Sequence, residues 1–175
     1  MNDKKSSLLK SAMNGGVITG IILIFSFMFM LLFKFGNSIQ FFFIIAVLGF
    51  CNYSIAKKYR DRELDGTISY EKSLGFGFLV SLFASIIVAF IVYAELSFMK
   101  PALMDQLFEV IKIQYEKMGY SKQQIDSVLQ ILNPLTISFM MILFFTFLGF
   151  ISSLFSAMFV RKDGNTFNQS MKNIE

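Results

Sequence analysis

LGFGFLVSLFASIIVAFIVYAELSF, residues Leu74–Phe98, decides the fold. Its only charged side chain is Glu95, about one turn from the far end. At about 1.5 Å per residue a helix of this length crosses the roughly 30 Å of a bilayer's hydrocarbon. Small residues fall at every fourth place, at Gly77, Ser81, Ser85 and Ala89. Spacing of four puts them on one helical stripe, where the lack of bulk lets another backbone come close. Such a stripe serves packing inside a bundle or a dimer face.

Working outward, three further apolar runs have spanning length, about 13–33, 39–56 and 135–160. The last is the longest and must tilt or project beyond the bilayer. The small-residue pattern returns in Gly16 and Gly20 of the first run and in Gly149, Ser153 and Ala157 of the last. The apolar run of the first span is longer than a signal-peptide core and no small-x-small cleavage site follows, so it reads as a retained helix.

The connections differ. Lys34 to Ser38 is short enough to force an antiparallel hairpin. The stretch 57–73 is charged and carries the turn signal Asp65-Gly66, with Ser69 placed to cap the third span and Glu71 in its first turn. The longest connection, about 101–132, is helical itself. Met104, Phe108, Ile111, Tyr115 and Met118 recur at helical spacing after Pro101, and Gly119 suits a C-cap. Ser121 and Gln124 form a capping box for a second short helix carrying Ile125, Val128, Leu129 and Leu132, and Asn133-Pro134 opens the last span. Three dispositions fit this amphipathic insertion: lying in the membrane interface, capping the bundle, or docking a partner.

The expected fold is therefore all-α: a single polytopic membrane domain over residues 1–175, with four transmembrane helices, two amphipathic helices between the third and fourth, and a polar tail at 161–175. Composition agrees. Apolar residues make up 55% of the chain, 23 of its residues are Phe, and only 16% are charged. A soluble domain carries about a quarter of its residues charged. Of the 16 Lys and Arg, eleven lie in the N-terminus, the second connection and the tail, against five in the other two connections. The positive-inside rule then places both termini in the cytoplasm and the insertion outside. With that explanation for the net charge of +4, nucleic acid is not an expected partner. Membrane lipids, a second copy or another membrane protein are.

The same residues narrow the chemistry. There is no His and only one Cys, Cys51, so imidazole catalysis, an internal disulfide and Cys-rich metal sites are excluded. No Gly-rich phosphate loop with its Lys is present. Asp61, Glu63 and Asp65 lie in an exposed charged loop, where carboxylate catalysis would lack a pocket. The expectation is a protein that is not an enzyme and uses no cofactor or metal. Glu95, with Tyr93 nearby, is the one candidate polar site; it reads as an interfacial carboxylate or as a site opening outward. Asn52, Ser26 and Thr146 also lie within spans, where each can bond to a helix carbonyl or a neighbouring helix.

Gly15-Gly16 with Gly20, Asp65-Gly66-Thr67-Ile68-Ser69-Tyr70 leading through Gly75 and Gly77, and Gly119-Tyr120-Ser121 followed by Asn133-Pro134-Leu135 keep their order along nearly the whole chain. In these motifs the chain resembles the domain of unknown function 4199 family. The resemblance implies a small multi-pass protein of the bacterial cytoplasmic (inner) membrane. Members of that family look as though they are often encoded beside a lipid-linked-sugar type glycosyltransferase. It transfers no catalytic or binding residue, since the family has no established activity. Three functions are consistent with this reading. One is a structural or accessory component working through helix–helix contacts. Another is a transport or lipid-handling protein using Glu95, and the third is an accessory subunit of a lipid-linked glycosyltransferase.

Overall fold

The computed structural model describes residues 2–33, 37–99 and 102–162. Residues 34–36 of the first hairpin turn, Pro101 and the tail from 163 onward lie outside the described residues. Helix α1 is Asn2–Phe33, α2 Asn37–Glu63, α3 Tyr70–Ala94, α4 Ala102–Lys117, α5 Lys122–Ile131 and α6 Pro134–Val160. A π-helical turn, Glu95–Met99, continues α3. Four of these helices (α1, α2, α3 with its π turn, and α6) are long and apolar enough to cross a membrane. The fold is thus all-α and polytopic, with the two shorter helices between the third and fourth spans.

The helices outrun their apolar cores. α2 continues past Ala56 through Lys57, Lys58 and Arg60 to Glu63, because Lys, Arg and Glu are good helix formers and nothing in the run breaks the ladder. Local signals set the other ends. Ser69 caps α3, its hydroxyl accepting the Lys72 N–H. Ser121 and Gln124 close a capping box on α5. Asn133 caps α6 with Pro134 in its first turn. Between α4 and α5, Gly119 takes φ +83°, a conformation any side chain would strain.

Contacts fix the arrangement. The approach of Gly16 to Val80 and of Gly20 to Ile87 makes α1 and α3 parallel neighbours. Gly77 faces Ser153 and Ser81 faces Gly149, so α3 and α6 are antiparallel. Gly49 approaches Ser152 while Arg60 Nη1 donates to the Val160 carbonyl at 2.8 Å, so α2 runs parallel with α6. α3 touches all three other spans and is the centre of the bundle.

Two apolar layers fill the interior. One gathers Ala12, Ala56, Tyr59, Ile68, Phe76, Val80 and Val160, with the rings of Tyr59 and Phe76 stacked at 4.1 Å. The other gathers Leu23, Leu48, Ala84, Val88 and Leu148. At the end nearer the first layer, Leu64–Thr67 is a tight turn closed by a Thr67 N–H to Leu64 carbonyl bond of 3.0 Å. Asp65 and Gly66 both have positive φ there, at 52° and 78°, which explains the Asp-Gly pair. Ile68 then exchanges two backbone hydrogen bonds of 3.0 Å with Lys162, tying the α2–α3 loop to the chain just beyond α6. The hydroxyls of Ser7 and Ser11 donate to the Glu63 carboxylate, pinning α1 to the same end.

Candidate functional site

Between the two apolar layers lies a neutral polar one, centred on Asn52 of α2. Asn52 is 1% exposed. Its Nδ2 lies 3.1 Å from Ser81 Oγ of α3 and 3.1 Å from Ser153 Oγ of α6. The Gly149 carbonyl and Ser152 Oγ follow at 3.3 and 3.4 Å. The protons can be assigned. Ser81 donates to the Gly77 carbonyl at 2.9 Å, and Ser153 to the Gly149 carbonyl at 2.7 Å. Each hydroxyl therefore presents a lone pair to the amide, whose two N–H protons they accept. That division orients the amide and joins three helices through one side chain.

Small residues let the helices come this close. A Cβ on Gly149 would land on Ser81 Cβ, and one on Gly77 would lie 2.7 Å from Ser153 Oγ. Each glycine faces a serine of the opposing helix, so the pairing is reciprocal. One turn further along, Ser85 and Thr146 hydroxyls meet at 2.9 Å. On the other side of α3, a Cβ on Gly16 would strike Phe83 and one on Gly20 would lie 3.1 Å from Ile87 Cβ. Ala89 and Ala157 are buried as well. The structure therefore places Gly16, Gly20, Gly77, Ser81, Ser85, Gly149 and Ser153 at contacts within this chain.

Glu95 lies apart from them. It is half-buried at the start of the π-helical turn, its backbone N–H shared between the Ile91 and Val92 carbonyls. The rings of Tyr93 and Phe98 meet edge-on across that turn at 6.2 Å. An open groove of about 530 Å³ lies elsewhere, along an outer side of α1 and α2, against Phe25, Ser26, Phe29 and Phe43. Glu95 does not line it. Among the described residues, no three His, Cys, Asp or Glu are grouped to hold a metal ion.

The Asn52 junction is what sequence reasoning missed. The sequence offers Asn52 a helix carbonyl or a neighbouring helix as partner, without saying which. Its pairing with two serine stripes could not be read from the spacing within any one span.

A bundle of four spanning helices around a buried amide defines a multi-pass α-helical membrane protein. The chain belongs to the family described as protein of unknown function (DUF4199), which it matches over residues 14–162. No curated protein and no solved structure matches it.

Proposed function

We propose that this chain is a non-catalytic structural or accessory component of the bacterial cytoplasmic membrane. It acts through helix–helix contacts with another membrane protein or a second copy, with both termini in the cytoplasm. One observation carries the reading: among the described residues no Asp, Glu, Lys or Arg is buried, and the buried polar groups are hydroxyls, the Cys51 thiol and the Asn52 amide. Proton relays and many ion pathways are marked by ionisable groups at depth. Here the amide N–H groups bond to the two closest hydroxyls, which donate in turn to the Gly77 and Gly149 carbonyls, and such a network suits a rigid support.

The small-residue stripes are occupied inside the chain, so a partner would meet the outward aromatic faces. Phe42, Phe147 and Phe155 are among the most exposed. Photo-crosslinking amino acids at these three positions, in living cells, test the proposal. The expected result is a discrete protein adduct from at least one of these positions. Lipid adducts alone from all three would remove it.

A second reading rests on the π-helical turn, since such turns recur at functional sites. It makes Glu95 the polar group of a transport or lipid-handling site. Under that reading Glu95→Gln abolishes complementation of a deletion strain without lowering protein level; full complementation sinks it.

A further inference from the structure

The bundle leaves the hairpin of α4 and α5 largely uncovered. α4 has no buried residue, and α5 buries Ile125 alone. The α4 stripe of Leu107, Phe108, Ile111 and Tyr115 is only half-covered. Val110, Met118, Tyr120 and Ile131 are exposed outright. Apolar surface of this kind on a hairpin needs an occupant, and the connections supply one.

Both ends of the hairpin are tethered to spanning helices. Residues 100 and 101 separate Met99 from Ala102, and Leu132 and Asn133 separate Ile131 from Pro134. An extended chain reaches at most about 3.6 Å per residue, so α4 begins, and α5 ends, within roughly 11 Å of a span's end. α4 has 16 residues and so extends about 24 Å at about 1.5 Å per residue. Its tip therefore stands far out in water or rests on the bilayer surface. Among its charges that tip carries one long apolar side chain and an aromatic pair. Met118 is 64% exposed, and the rings of Tyr115 and Tyr120 lie 5.0 Å apart. Tyrosine, with an apolar ring and a polar hydroxyl, belongs at the headgroup boundary. The charges nearly balance, Asp105, Glu109, Glu116 and Asp126 against Lys112, Lys117 and Lys122. Attachment would then rest on apolar burial and not on anionic headgroups.

We infer that the α4–α5 hairpin lies along the membrane surface, its exposed apolar residues and the Tyr115–Tyr120 pair seated in the headgroup–acyl boundary of a phospholipid leaflet. This surface is independent of the helix–helix contacts proposed above.

The chain contains no Trp, so one introduced Trp reports its own surroundings. Met118→Trp and Glu116→Trp are compared in the full-length protein reconstituted in phosphatidylcholine vesicles. Glu116 shares the charged side of α4 with Glu109 and Lys112. Lipid brominated on its acyl chains should quench Met118→Trp several-fold more than Glu116→Trp, with no loss in high salt. Equal, weak quenching with both sites open to iodide would show the hairpin standing in water and overturn the inference. So would a Met118→Trp shielded from lipid and iodide alike, which means cover by the bundle or a second copy. Quenching that requires anionic lipid and vanishes in salt would also refute it.

Discussion

A methyl group is enough to separate the roles of two glycines, Gly149 on α6 and Gly75 on α3. At Gly149 a Cβ would overlap the Cβ of Ser81, on a short side chain that cannot swing its Cβ away. Gly149→Ala forces α3 and α6 apart and weakens the Asn52 bonds between them. Overpacking of this kind costs about 1–3 kcal/mol. Gly75 has nothing within 4 Å of its would-be Cβ and lies in the interior of α3. Gly75→Ala should therefore be neutral or stabilise by up to about 1 kcal/mol, since alanine loses less backbone freedom in a helix. Reversible unfolding in mixed micelles checks the pair. Equal effects would mean that the α3–α6 approach does not set stability.

At the scale of the element, the ends of helices were more legible than their contacts. Ser69, Ser121 with Gln124, and Asn133-Pro134 act through residues three positions apart, so sequence alone exposes the geometry. The same holds for the four spans, whose length and apolarity are written in single runs. What stayed hidden was which stripe meets which. The Gly77 and Ser81 stripe looks alike whether it faces α6 or a second chain, and the Asn52 amide needs two helices distant in sequence. The end of α3 was hidden for another reason, since the π-helical turn at Glu95–Met99 follows no local breaker. α5 offers the test at this scale. It has ten residues, shorter than a helix that persists unaided in water, and its cap joins the Ser121 N–H to Gln124 Oε1 at 2.9 Å. Ser121→Ala removes the hydroxyl and should cost about 1 kcal/mol. Hydrogen exchange should quicken over the first turn of α5 and stay unchanged in α6. Unaltered exchange in α5 would mean that membrane or bundle contacts, not the cap, hold it.

For the whole molecule, what holds α6 in place is independent of the chain that delivers it. α6 meets α3 through the Gly77–Ser153 and Ser81–Gly149 pairs, and meets α2 through Asn52 and Arg60. Lys162, just beyond it, pairs with Ile68. None of these contacts passes through α4, which has no buried residue. Spanning helices form independently and then associate, so packing can substitute for connection. A chain divided between Gly119 and Tyr120 should consequently reassemble when both pieces are made together. Residues 1–119 should carry residues 120–175 through detergent purification. Asn52→Leu should weaken the association modestly, by about 1 kcal/mol, because interhelical hydrogen bonds in membranes contribute about that much. Gly149→Val should abolish it, because an isopropyl group in place of a hydrogen now meets Ser81. Fragments that both reach the membrane yet never co-purify would show that the link through α4 and α5 is what assembles the bundle.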